Sequence, residues 1–420
     1  TGCVRALLDH GANSREAALR EARRWIGVDM AAELRRGLVA GNGGGQTYEA
    51  VVRRVREDGG VTVVVELLRE ARRWIGVDMA AELRRGLVAG NGGGQTYEAV
   101  VRRVREDGGV TVVVELLRED GAPGRGDDRQ TGHAAIATLI EAALGLHTSH
   151  EELAARALRC GDPELDDWTT AVAELAGRAD EETFVAAAAW CAYRDPLRRA
   201  LGARVLGALP GFAASAVPVL RRLAAEVTVA AAPPREPGPA GLRRVPSARE
   251  PGPSPVPARE PVLSVVSALG ECGDPAAVPE LLAAAGHPDA AVRRAVAGAL
   301  AGIVPAGHPE ALGVLLALSR DGDARVRDWA TLALAELPDD TPLVREGLAE
   351  RLGDTDPETA AEAARGLAIR QDPRAVDALA SALADGDPEG AARETALAAL
   401  EYVHDPRVRT RLEWTSPRRA

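Results

Sequence analysis

Apolar residues in the C-terminal half fall at helical spacing, and each such run begins behind an aspartate. Asp289-Ala-Ala-Val-Arg293-Arg-Ala295 leads into Ala299-Leu300, and Asp323-Ala-Arg-Val-Arg327-Asp-Trp-Ala330 leads into Ala333-Leu334. Weaker versions open at Asp356 and Asp387, and an early one at Asp195. A carboxylate ahead of a helix accepts from the free N–H groups of the first turn, which stabilises it by about 1 kcal/mol. Between the Asp-led runs lie further amphipathic segments, Ala277–Ala285, Pro309–Ser319, Pro342–Leu352 and Arg374–Leu383. The predicted unit is therefore helix, short turn, Asp-capped helix, with spacings of 34, 33 and 31 residues. One such pair cannot bury its apolar stripe alone, whereas stacked pairs form a continuous core. The fold class is mainly α, an α-solenoid.

The stretches "HPDAAVRRAVAGALAGI" and "DGDARVRDWATLALAEL" resemble HEAT repeats, in particular the bacterial kind of bilin-lyase-like proteins. The resemblance spans 181–414 apart from one insertion. Thr359-Ala360 and Gly390-Ala391 stand where the repeat has Val-Arg, so arginine stacking between repeats should weaken there. The resemblance implies a protein-binding scaffold whose partner lies along the concave face. The alternative it implies is a lyase-like or chaperone-type accessory subunit acting on a cofactor-bearing client.

The insertion is located by arithmetic. From Asp195 to the next inner helix near Glu260 is about 65 residues, roughly 31 more than a repeat of this period needs. Residues 229–260 are dense in proline and glycine, which precludes helix and sheet and predicts a disordered or polyproline-like loop.

The N-terminal region has a different pattern. Residues 21–69 recur unchanged at 70–118, a tandem period of 49. Each module reads as a long helix (Glu21–Val39 in the first), a glycine cluster, and a β-hairpin turning at Glu57-Asp58-Gly59-Gly60. The glycines are not a phosphate cradle. A Walker A loop needs Lys-Ser/Thr after them, and Gln46 stands where a dinucleotide fingerprint has its third glycine. Before the modules, Val4-Arg-Ala-Leu-Leu8-Asp-His10-Gly11-Ala12-Asn13 resembles the end of an ankyrin repeat. The chain opens at Thr1 without methionine, as a fragment of a longer ankyrin array would. The expected organisation is 1–20 ankyrin remnant, 21–120 two helix/β-hairpin modules, 121–180 helical connector, 181–228 HEAT-like repeats, 229–260 insertion and 261–414 HEAT-like repeats. Within the connector, 130–158 reads as two helices.

Composition sharpens this picture. All 51 positive side chains are arginine, and with so much Ala, Gly and Pro this reads as high-GC bacterial codon usage. The net charge is −11, which argues against a nucleic-acid partner. No apolar run spans a bilayer and no signal pattern opens the chain, so a membrane role is not expected. Cys3, Cys160, Cys191 and Cys272 lie far apart, which suits a reducing cytoplasm.

Catalytic chemistry finds no constellation. His147-Thr-Ser-His150-Glu151 lacks the second histidine of a zincin helix, because Ala154 occupies that position. Ser149 and Glu152 instead make a capping box for a helix at 150–159. Asp166-Asp167 ahead of Trp168 reads as a helix start. Arg125-Gly126-Asp127 reads as a chance triplet in a loop. No enzyme, cofactor or metal site is expected. Residues 260–414 carry 27 acidic side chains against 14 arginines, a net −13. The expected partner is a protein or peptide with a basic surface. The candidate contact residues are Arg294, Asp328, Glu362, Arg365 and Arg393, placed opposite the core stripe of the inner helices.

Overall fold

The computed structural model describes residues 68–69, 71–90, 98–106, 108–118, 121–143, 145–231, 260–384 and 390–415. The ankyrin-like stretch, the first module up to residue 67 and residues 232–259 of the insertion lie outside them. The chain divides into two compact parts, 1–178 and 179–420.

In the N-terminal part, the second module shows the helix and hairpin that its pattern predicts. The helix is interrupted, however. A helical segment at 71–75 stops at Gly76-Val77, and Asp78 starts a new helix, α1 (Met79–Ala89), by accepting from the Ala81 N–H at 3.2 Å. Strands β1 (Ala99–Glu106) and β2 (Gly109–Leu117) pair antiparallel, from Ala99 opposite Leu116 to Glu106 opposite Gly109. Gly108 supplies the turn at φ +75°, a conformation glycine adopts without steric cost. Val112, Val114 and Leu116 of β2 bury against Trp74, Met79, Leu83 and Leu87.

A third strand corrects the loop reading of Arg125-Gly126-Asp127. β3 (Pro123–Gln130) pairs antiparallel with β2, with a register shift between Glu115 and Leu117. Its sequence carries no apolar alternation; the free edge of β2 recruits it through backbone bonds. Gly124 permits the approach, since an added Cβ would lie 2.9 Å from the Leu116 carbonyl oxygen. Helices α2 (His133–Ala143), α3 (His150–Leu158) and α4 (Asp166–Arg178) complete this part.

The C-terminal part alternates two rows of helices. The outer row is α5 (Glu181–Cys191), α7 (Ala213–Ala231), α9 (Val278–Ala284), α11 (Pro309–Leu318), α13 (Pro342–Ala349), α15 (Ala375–Ala384) and α17 (Pro406–Thr415). The inner row is α6 (Pro196–Ala208), α8 (Glu260–Cys272), α10 (Ala290–Leu300), α12 (Ala324–Glu336), α14 (Pro357–Ile369) and α16 (Ala391–Ala399). Each inner helix packs on the inner helices before and after it, while the outer helices pack together less closely. The insertion is shorter than its composition predicts: 229–231 complete α7 and Glu260 already opens α8. Close approach in the inner row relies on small residues. A Cβ on Gly270 would lie 2.7 Å from Ala299 Cβ.

The aspartate caps are as the pattern predicts. Asp195, Asp289, Asp323 and Asp356 accept from the N–H of Leu197, Ala291, Val326 and Thr359. Asp387 lies outside the described residues, and α16 follows Gly390 without a side-chain cap. The arginine four residues after a cap does more than stack. Arg327 donates from Nη1 to the Asp321 carbonyl in its own entry turn, at 3.1 Å. It also grips Asp354 of the next turn through Nε and Nη2, at 2.9 and 2.7 Å. Arg293 does the same with the His287 carbonyl and with Asp321. The series ends at Ala360, where the side chain has nothing to reach with.

Arg370 ties the junction of α12 with α14 a second time, by other means. Its guanidinium is buried and makes six hydrogen bonds to carbonyls of Leu334, Ala335, Leu337, Gly366 and Asp339. It thereby satisfies the open C-terminal end of α12. Arg370→Met should destabilise the C-terminal part by about 3 kcal/mol, because several buried carbonyls lose their donor together. Arg327→Ala should cost about 2 kcal/mol by removing the bidentate partner of Asp354, which keeps only a 3.4 Å contact with Arg351 and the Asp356 N–H. Urea denaturation of both variants measures these losses.

The ladder also sets an acid limit. The Arg293 and Arg327 hydrogen bonds hold the Asp321 and Asp354 carboxyls below the usual carboxylate range. A depressed folded pKa contributes stability that is complete above the ordinary value near 4 and lost as pH falls through the folded value. Thermal melts should therefore fall steeply below about pH 4, and Arg327→Ala should flatten part of that slope.

Candidate protein-docking face

The inner helices expose one side of each helix, and residues from α10, α12, α14 and α16 line it. Val326, Ala330, Ala333 and Leu334 face the core of α12, which leaves Arg325, Asp328, Trp329 and Glu336 on the outward side. On α14, the buried Ala361, Ala364 and Leu367 leave Glu358, Glu362 and Arg365 outward. The helical period of the sequence predicts this division, and it holds because the buried positions contact both neighbouring inner helices and the paired outer helix.

Asp328 is the unusual group. It is half-buried and forms no hydrogen bond or ion pair with a described residue. Burial, reinforced by Glu358, Glu362 and Asp356, pushes its carboxyl up to about 6. Beside it, Trp329 stays 42% exposed and lies across α10, with its Cε3 3.0 Å from where a Cβ on Gly298 would stand. Glu362 accepts from Arg365 Nε at 2.8 Å and from Thr395 Oγ1 at 3.2 Å. Arg365 also approaches Glu336 at 3.5 Å. A flat aromatic surface thus adjoins carboxylates that exceed the arginines available to neutralise them.

The structure gathers Asp328, Glu362 and Arg365 on adjacent helices. Arg294 stands half-buried on α10, without a hydrogen bond or ion pair to a described residue. The placement of Arg393 differs from the pattern. It is only 8% exposed on α16, because α16 begins at Ala391 and position 393 turns toward the core with Ala396 and Ala399. Trp329 belongs to the face, although the apolar period alone would assign a tryptophan to the core.

The N-terminal part has its own polar centre, which the periodicity does not reveal. Glu141 is buried and accepts from Arg156, Thr148 and Arg72, at 2.7 Å in each closest contact. Burial would raise its carboxyl, but these hydrogen bonds outweigh it and hold the group below the usual range. Both oxygens are satisfied, so the centre fastens α2 to α3. Asp167 caps α2 by accepting from the Ala135 N–H at 2.9 Å, and the Cys160 thiol approaches its other oxygen. The Asp166 carboxyl packs against the hairpin turn at Gly108. Neighbouring in sequence, the two carboxylates serve separate elements. Ser149 accepts from the Glu152 N–H at 3.2 Å, as the capping box predicts, while the Glu152 side chain turns to Arg156.

Among the described residues, no group of three or more His, Cys, Asp or Glu side chains is placed to hold a metal ion. No helix there is long and apolar enough to cross a membrane.

Two rows of stacked, antiparallel helices define an α-solenoid. Residues 263–335 and 345–415 match HEAT repeats, and the chain carries HEAT repeats over those spans. No curated protein matches the chain in sequence. Among solved structures, YibA of Escherichia coli is similar at 18% identity over 64% of this chain and 92% of that one, with a TM-score of 0.43. The complex of CpcE and CpcF of phycocyanin lyase from Nostoc sp. is similar at 17% identity over 59% and 85%, with a TM-score of 0.31. Human deoxyhypusine hydroxylase in complex with glycerol is similar at 19% identity over 63% and 95%, with a TM-score of 0.23.

The raised pKa of Asp328 has a consequence for stability. A carboxyl whose folded pKa exceeds its unfolded one loses stability as pH rises from about 4 to about 6. Asp328→Asn should therefore stabilise the protein at pH 7, by about 1 kcal/mol after solvent screening. The gain should vanish below about pH 4, which chemical denaturation at the two pH values reads directly.

Proposed function

We propose that the C-terminal solenoid, with HEAT-like repeats extending through 181–228 as well as 261–414, is a non-enzymatic docking scaffold. Its partner is a protein or peptide with a basic surface, seated on the inner-helix face around Asp328 and Trp329. The inner helices pack more tightly than the outer ones, so this face lies on the concave side of the stack. The observation that carries the reading is Asp328 itself. A half-buried carboxylate beside three others gains most from a cation supplied from outside, and an exposed tryptophan adjacent to it offers that cation a π-face. Arg294, Glu362 and Arg365 border the contact; the buried Arg393 supports it from beneath. The net −13 of residues 260–414 supplies a field that attracts such a partner and weakens with salt.

Affinity capture from lysate on the full chain, followed by binding curves for the protein recovered, tests the reading. Trp329→Ala and Asp328→Asn should each weaken binding by about tenfold. Raising salt should weaken binding to the wild-type protein more than binding to Asp328→Asn. A partner indifferent to both substitutions, or recovery of nucleic acid alone, would overturn the assignment.

A further inference from the structure

Tyr193 and Trp329 are exposed to a similar degree, 45% and 42%, but they differ in what covers them. The Arg198 guanidinium lies over Tyr193, 4.6 Å from the ring centroid. Arg129 likewise lies over Trp74, at 4.1 Å. Among the described residues, no guanidinium stands over the Trp329 ring.

The seat of Trp329 leaves one side of the ring open. Its Cε3, Cζ3 and Cδ2 lie 3.0, 3.3 and 3.8 Å from where a Cβ on Gly298 would stand. The six-membered ring therefore rests on the bare backbone of α10, which steadies it from behind. Asp328, next in the chain, is half-buried. It faces Glu358, Glu362 and Asp356, which repel its charge, and Arg325, which attracts it. None of these gives it a hydrogen bond.

The two basic side chains meet such a place differently. A lysine ammonium is a compact, strongly hydrated point charge, so a half-buried carboxylate strips water from it at a cost. An arginine guanidinium is planar and weakly hydrated. It stacks on an aromatic face while its N–H fork meets a carboxylate with two bonds.

We infer that the basic group selected by this face is an arginine of the partner, its guanidinium stacked on the open side of Trp329 and forked on Asp328, with Gly298 as the positioning residue that seats the ring. This selectivity rests on the docking face proposed above and narrows what it accepts. A second copy of the chain is disfavoured as the source, because each copy carries a net charge of −11 and repels the other.

Calorimetric titration of the full chain tests the choice, with two capped peptides of equal length and charge as probes. In one, glycine alternates with arginine, and in the other with lysine. The arginine peptide should bind at least about tenfold more tightly. Trp329→Leu should abolish that preference and change the affinity for the lysine peptide less than about twofold. Gly298→Val, which lifts the ring from α10, should weaken the arginine peptide about fivefold with the far-UV circular dichroism unchanged. At pH 6, binding should release protons, because the Asp328 carboxyl, raised to about 6, must ionise to receive the guanidinium. Asp328→Asn should suppress that release.

Equal affinity for the two peptides, with Trp329→Leu weakening both alike, would overturn the choice of arginine and leave the docking face standing. No binding of either peptide, or binding indifferent to both Trp329→Leu and Asp328→Asn, would overturn the face and the choice together. A dimer dispersed by Trp329→Leu in sedimentation velocity would make a second copy the occupant and overturn the assignment to a separate partner.

Discussion

The C-terminal stack depends on one relay between a capping aspartate and an arginine one turn later. The aspartate fixes where each inner helix starts, and the arginine converts that start into a bond with the next repeat. Arg293 and Arg327 each hold a carbonyl of their own entry turn and a carboxylate of the following one. Two planar, charge-assisted contacts of this kind fix both spacing and rotation between neighbours. Where the arginine is missing, at Ala360, Arg370 has already locked the preceding junction through backbone carbonyls. A different side chain thus meets the same need, which is that open helix ends inside a solenoid must find donors.

This relay also explains the distribution of charge. Most arginines of the inner row are spent between repeats, so the carboxylates on the outward side keep few cations of their own. Asp328 shows the result most clearly, since it is half-buried among Glu358, Glu362 and Asp356 with its carboxyl raised. An acidic outward face follows from the way the repeats are joined.

The N-terminal part obeys other constraints. Its sheet is built by pairing, so its boundaries depend on which edges are occupied. β2 binds β3 through backbone groups although β3 carries no large apolar side chain, and β1 retains an edge with nothing described beside it. The buried Glu141–Arg156 pair fastens α2 to α3, a contact between residues 15 apart that helical periodicity cannot register.

The sequence by itself determined the elements whose cause is local. Capping aspartates, the 3.6-residue apolar period and the Asp-Gly turn act over a few residues, so the capped starts of α6, α10, α12 and α14 and the β1–β2 hairpin could be read from it. It also placed Asp328, Glu362 and Arg365 on the outward side, because a helix face is set by period alone. Tertiary structure decided whatever requires two distant segments. It made a strand of Pro123–Gln130, broke the long helix at Gly76, and turned Arg393 inward by starting α16 late. It also gave Arg370 its six hydrogen bonds to carbonyls and raised the Asp328 carboxyl. Each of these depends on burial or on a partner far along the chain, and neither quantity is written in the residues nearby.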